Sequence, residues 1–320
     1  GEIALCILSA INVGQLNNLE DLENLCELAV RALEEIIEYQ DYPVKAAEVS
    51  TKSRRSLGIG YIGLAHYLAK QGFKYSEKGA WDSVDRLTEA FQFYLLKASN
   101  KLAQERGACE GFKQTKYADG LLPIDHYKKE IDEIVPHKQR MAWEALRKDI
   151  IKYGLRHSTL SAQMPSESSS VVSNETNGIE PPRALMAIKK SKKGPLKQIA
   201  PGYPKLKNAY TLLWDMPDNT GYINVVAMMQ KYFDQAISGN WSYNPLHYEN
   251  NEVPISAMAQ DMLSAYKYGW KTSYYQNTYD SKSDSDEPQH SIGGPEQELK
   301  TRNEFQSDEA YEEYCESCAI

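Results

Sequence analysis

Two hydrophobic periods alternate along the chain. Ile3-Ala4-Leu5-Cys6-Ile7-Leu8 is an unbroken apolar run, which reads as a strand buried on both faces. A helix follows, with Asn17 or Asn18 as its N-cap and Leu22, Cys26, Ala29, Leu33 and Ile36 or Ile37 recurring at spacings of three and four. Pro43 marks its end. Gly58 to Gln71 reads as a second helix behind a glycine-rich lead-in. Ser83 to Glu105 reads as a third, with Leu87, Phe91, Tyr94, Leu95, Ala98 and Leu102 on one side. Ala142 to Tyr153 is a fourth. Leu160 to Met164 is a short strand that breaks at Pro165, and Pro165 to Pro182 is Ser, Asn, Glu and Gly punctuation. Ala184 to Ile199 has the pattern of a hairpin turned at Lys192-Lys193-Gly194. Helices are predicted over Thr220 to Ile237 and Ile255 to Tyr268, the latter stopped by Gly269, and a last strand over Thr272 to Thr278. Strands alternating with helices define an α/β fold.

Composition narrows the picture. The chain has 320 residues, 42% apolar and 25% charged, an ordinary globular profile. No apolar stretch approaches the ~20 residues of a membrane helix, so no membrane binding is expected. Twelve Asp/Glu against three Lys/Arg between Asp280 and Ile320 give −9 there, so the other residues carry +1 of the total of −8. The chain therefore divides into a body, 1–279, and an acidic tail, 280–320, whose composition is that of a disordered segment. A nearly neutral body argues against non-specific nucleic-acid binding, which needs a basic face. Five cysteines, an odd number, do not make a disulfide framework and point to a reducing compartment, the cytoplasm.

Several motifs carry chemistry to different degrees. Gly58-Ile59-Gly60-Tyr61-Ile62-Gly63 matches a dinucleotide fingerprint, but Ser53-Arg54-Arg55-Ser56 before it is no apolar strand, so close helix packing is the expected use of these glycines. Six scattered histidines lack zinc-ligand spacing, and no metal site is expected. The cluster Lys189, Lys190, Lys192, Lys193 and Lys197 reads as a solvated hairpin. Met164-Pro165-Ser166-Glu167-Ser168-Ser169-Ser170 ends a strand at a proline and offers hydroxyls and backbone amides, an arrangement that can cradle an anion. Cys26 lies on an apolar stripe and belongs to the core; Cys109 receives no role. Cys315 and Cys318 form CxxC beside the chain end, a spacing that five cysteines rarely produce by chance. With no strand or helix after it, this is a dithiol on a tether. A coil of ~35 residues has an end-to-end distance of roughly 30–35 Å, enough to cross a domain.

Together the segments GEIALCILSAINVG, RRSLGIGYIGLAHYLAKQG, LLKASNKLAQERGAC, LRHSTLSAQMPSESSSVVSNETNGIEPPR and KTSYYQNT resemble the C-terminal part of the large subunit of class I ribonucleotide reductase. The resemblance runs from Gly1 to Asp280 and resumes at the terminal cysteines. It implies the C-terminal part of a ten-stranded α/β barrel with added helices, and radical-based reduction of ribonucleoside diphosphates. Cys6 matches one of two active-site cysteines that form a disulfide as the ribose is reduced. Pro165, Ser166, Glu167, Ser168 and Ser169 match the loop that holds the substrate diphosphate. Tyr274 and Tyr275 match the paired tyrosines that relay the radical from a metal-containing small subunit, and this chain is expected to bind no cofactor itself. Cys315 and Cys318 match the shuttle dithiol, reduced in turn by thioredoxin or glutaredoxin.

Two departures stand out. The terminal cysteines are commonly spaced more widely than CxxC in that family. The radical-bearing cysteine, the second half of the Cys6 disulfide and the regulatory nucleotide sites lie upstream of Gly1 in its pattern. The expectation is therefore a partner chain carrying the N-terminal half, beside the small subunit. The alternative is a non-catalytic remnant kept as a binding module for the small subunit. An inert remnant has no use for Cys6, the serine loop, the tyrosine pair and the dithiol together.

Overall fold

A computed structural model describes residues 1–191 and 194–280. The chain begins with β1 (Ile7–Asn12), α1 (Asp21–Tyr39), α2 (Lys45–Arg54), β2 (Leu57–Ile62), α3 (Leu64–Gln71) and the long α4 (Lys78–Arg106). It continues with the single turn α5 (Pro123–His126), α6 (Trp143–Tyr153), α7 (Glu167–Val172) and the hairpin β3 (Met186–Ser191) and β4 (Gly194–Ile199). Last come α8 (Thr220–Gln230), β5 (Gly239–Tyr243), α9 (Ile255–Tyr268) and β6 (Ser273–Thr278).

Backbone hydrogen bonds assemble five lines of chain into one parallel row. β1 pairs with β2, Ile7 opposite Leu57. On the other side of β2 lies the extended stretch 159–163: Leu57 N–H donates to Thr159 O at 3.0 Å and Ala162 N–H to Ile59 O at 3.1 Å. The stretch 235–238 continues the row through Gln235 N–H to Ser161 O at 3.2 Å, and runs directly into β5. β6 lies parallel to β5. Where the third and fourth lines meet, a side chain supplements the backbone: Asp234 Oδ2 accepts from the amides of Leu160 at 2.7 Å and Ser161 at 3.2 Å. Parallel lines joined through helices are the construction unit of an α/β barrel.

The helices form a layer in which α1 packs on α4, α4 on α8 and α6, and α8 on α9. Between row and layer lies the core. Leu57, Ile59 and Tyr61 are fully buried there, and Tyr61 meets Phe91 edge-on with ring centroids 5.3 Å apart. α1 buries Leu22, Cys26, Val30, Leu33 and Ile37, the stripe expected of it with Val30 in place of Ala29. Charge is buried as well. Glu34 of α1 accepts from Arg55 Nη2 at 2.8 Å, Arg156 Nε at 2.7 Å and His157 Nε2 at 3.0 Å, tying α1 to the starts of the second and third lines.

Several expectations are corrected. The first strand begins at Ile7, not Ile3, and is not buried on both faces: Leu8 is 54% exposed while Ile11 packs inward. Gly58 to Gln71 is not one helix. Its first half is β2, because a strand of alternating Gly fits beside bulky neighbours, and Gly63 at φ 81° turns the chain into α3. The helix predicted to reach Ile237 stops at Gln230, since 234–238 joins the row. α2 went unanticipated because it buries only Ala47, Ser50 and Thr51 and so shows no apolar stripe. The hairpin stands where expected. Its turn at Lys192 and Lys193, the side chains of the lysine cluster, and the tail with Cys315 and Cys318 all lie outside the described residues.

Candidate active site

Cys6 immediately precedes β1, on the face of the row opposite the helices. Its position depends on the absence of a side chain at Gly58: a Cβ there would lie 2.7 Å from Cys6 Sγ, 2.5 Å from a Leu8 methyl and 3.2 Å from Ala162 Cβ. Gln235 donates through Nε2 to Leu57 O at 3.2 Å and to Cys6 Sγ at 3.6 Å, fixing the thiol against the second line. One side of the thiol is open to solvent. The atoms crowding its other side push its pKa above the ordinary thiol value, against the opposing pull of the Gln235 amide. Cys6 is thus a protonated thiol, held in place and accessible. Cys26 and Cys109 are buried, and burial raises both thiols.

The serine loop leaves the third line four residues after Ala162, within a chain reach of about 13 Å. Its residues become α7, whose first helical bond is Ser170 N–H to Ser166 O at 2.9 Å. Ser166 is buried, whereas Pro165, Ser168 and Ser169 are exposed. The hydroxyls of Ser166 and Ser169 donate to the loop's own carbonyls, Met164 O at 3.1 Å and Ser166 O at 3.2 Å.

Tyr274 and Tyr275 are neighbours in β6, and neighbours in a regular strand point to opposite faces. Here they do not. Gly239 pairs with Ser273 and Trp241 with Gln276, so both tyrosines stand opposite the single residue Asn240 in a β-bulge. Asn240 Oδ1 accepts the Tyr275 N–H at 3.1 Å, while its Nδ2 donates to half-buried Glu180 at 2.5 Å. The bulge brings the two rings together, centroids 4.1 Å apart and planes at 58°, with Tyr274 47% and Tyr275 36% exposed. A hydrogen bond with Tyr275 raises the Tyr274 phenol above its ordinary pKa. At neutral pH that phenol keeps its proton, so oxidising it means losing proton and electron together.

The structure thus gathers Cys6, the serine loop and the tyrosine pair onto one parallel row. Sequence reasoning missed the residues that place them. Gln235 and Asn240 sit in stretches without periodicity and act through partners more than thirty residues away. The Gly58 and Gly60 pair was visible but was read as helix packing. Among the described residues no group of three or more His, Cys, Asp or Glu could hold a metal ion, and no helix is long and apolar enough to cross a membrane.

The parallel α/β row thus presents an accessible thiol, a serine loop and two phenols in contact. Residues 1–276 match the family model for the ribonucleotide reductase barrel domain, and the chain belongs to that family. It is 56% identical over 287 residues to the ribonucleoside-diphosphate reductase subunit alpha of Haemophilus influenzae, covering 90% of this chain and 38% of that protein. The corresponding Escherichia coli subunit is 54% identical over 249 residues, 78% of this chain and 33% of its own length. That of bacteriophage T4 is 42% identical over 289 residues, 89% and 38% respectively. The chain therefore spans little more than a third of the curated relatives it matches.

Proposed function

We propose that this chain supplies part of the active site for radical-based reduction of ribonucleoside 5′-diphosphates to 2′-deoxyribonucleoside diphosphates. The observation that carries the reading is the bulge at Asn240. It turns two consecutive tyrosines to one face and brings their rings into contact at a partly exposed surface. Two phenols in contact serve a purpose that either alone does not: once one is oxidised, the other gives it a proton and an electron, and the hole passes to the donor. Tyr274 and Tyr275 relay the radical inward from a small subunit that generates it at its own metal site.

The remaining parts follow the same chemistry. The loop Pro165, Ser166, Glu167, Ser168 and Ser169 holds the diphosphate through amides and hydroxyls. Cys6 is one of two thiols that deliver two electrons: the ribose loses its 2′-hydroxyl as water and gains hydrogen, and the thiols become a disulfide. The second thiol and the radical-bearing cysteine come from the remaining portion of the large subunit. Cys315 and Cys318 reduce the disulfide by thiolate exchange through a mixed disulfide, and thioredoxin or glutaredoxin reduces them in the cytoplasm.

The test is reduction of a ribonucleoside diphosphate by this chain combined with the rest of the large subunit, the small subunit and a dithiol. Turnover is expected in the complete mixture only, and Cys6→Ser or Tyr274→Phe should remove it. Stable association without turnover would favour the binding-module reading instead.

A further inference from the structure

The serine loop is anchored at both ends, and its far anchor is a buried carboxylate. Glu175 follows α7 and is 1% exposed. Its Oε2 accepts from Gln15 Nε2 at 3.2 Å, just past β1, and bonds His66 Nδ1 of α3 at 3.0 Å. Oε1 accepts the Thr176 N–H at 2.9 Å. Its own N–H donates to Ser170 O at 2.8 Å, closing the C-terminal end of α7. Directly afterwards, Thr176 O accepts from Gly63 N–H at 3.0 Å and Gly178 O from Leu64 N–H at 3.2 Å.

Space has been cleared for this one side chain. A Cβ on Gly14 would stand 2.6 Å from Glu175 Oε2 and 2.8 Å from His66 Nδ1, and a Cβ on Gly63 would stand 2.7 Å from Glu175 Cγ. Burying a carboxylate is costly unless donors surround it, so a position that gathers donors from three segments acts as a tie between them. The segments joined are the end of β1, the start of α3 and the loop. At its other end the loop is held through Ala162 in the third line.

We propose that Glu175 is a positioning residue for the substrate diphosphate. Through Gln15 and His66 it fixes the end of α7, and so holds Ser166 to Ser169 in the conformation that receives the anion. The proposal rests on the assignment of that loop to the diphosphate.

The test uses the complete reductase, with KM and kcat for a ribonucleoside diphosphate measured separately. Glu175→Ala is expected to raise KM about tenfold and to change kcat less than about threefold, the signature of weakened substrate binding. Glu175→Gln retains the carbonyl that accepts Thr176 N–H and fills the same space but no longer accepts from Gln15, so its KM should rise less than that of Glu175→Ala. In the folded chain, Glu175→Ala should speed amide exchange at Ser170 and Ser173 about tenfold and leave Ile59 and Ala162 unchanged. An unmoved KM, a loss confined to kcat, unchanged exchange in α7, or equal damage from Gln and Ala would overturn the proposal. Ser168→Ala and Ser169→Ala separate the two levels. If they raise KM and Glu175→Ala does not, only the positioning role falls; if no variant moves KM, the diphosphate assignment falls with it.

Discussion

Cys6 and Cys26 differ in what surrounds their sulfur, and reactivity follows the surroundings. Cys26 lies on the buried stripe of α1, with Phe91 O as the acceptor of its thiol at 3.8 Å. Cys6 has Gln235 on one side and solvent on the other. Thiolate is the species that reacts. Native alkylation followed by peptide mass spectrometry should therefore label Cys6 before Cys26 and Cys109. Because the Cys6 thiol is raised above its ordinary value of 9.0, its labelling rate should still be climbing at pH 9. Equal labelling of Cys6 and Cys26 would contradict the packing described for α1.

At the scale of elements, the two glycines of β2 separate function from stability. A Cβ at Gly58 meets the ends of two side chains, Leu8 and Cys6, which can move aside. A Cβ at Gly60 meets the Ala162 carbonyl at 2.5 Å, which cannot move without breaking the row. Gly60→Ala should thus cost about 1–3 kcal/mol in denaturant unfolding. Gly58→Ala should cost less, yet lower turnover by displacing the Cys6 sulfur. This pair also shows what could be read in advance. The stripe of α1, the stop of α9 at Gly269 and the hairpin follow from local periodicity and turn chemistry. β2 did not, because its glycines make sense only beside Leu8 and the backbone of Ala162, which the chain order keeps far apart. Among the candidate site residues, Cys6, the loop and the tyrosines rest on family resemblance. The bulge that gives the tyrosines a common face was not legible, since it is a property of the β5–β6 register.

Across the whole molecule, acid should act through the buried cluster at Glu34. Burial alone would raise that carboxyl, but hydrogen bonds from His157, Arg55 and Arg156 outweigh it and hold it well below the ordinary 4.5. Stability from Glu34 is therefore full above about pH 4.5 and drains away as pH falls below it. His157 shifts down from 6.5, chiefly by burial and against the opposing pull of Glu34. The unfolded chain takes up that proton first, so loss of stability begins below about pH 6.5. Urea midpoints measured from pH 8 to 3 should decline in that order, and a flat profile would refute the cluster's role. Glu34→Ala, which removes the buried acceptor shared by Arg55, Arg156 and His157 and leaves Arg55 to the half-exposed Glu38, should cost about 3–5 kcal/mol. A separate expectation concerns the tail. Cys315→Ser with Cys318→Ser should leave a single round of reduction intact in the complete enzyme and abolish repeated turnover with thioredoxin. Undiminished multiple turnover would remove the shuttle role.

The ladder between β5 and β6 has one residue too many on the β6 side. Removing either tyrosine would restore an even count, and the two strands would zip without a gap. The surplus residue is what lets two consecutive tyrosines share a face and bring their rings into contact. The bulge also confines the irregularity: Gln276, Asn277 and Thr278 keep Trp241, Ser242 and Tyr243 as partners, so deleting one tyrosine would dissolve the pair and leave every later side chain of β6 on its present face.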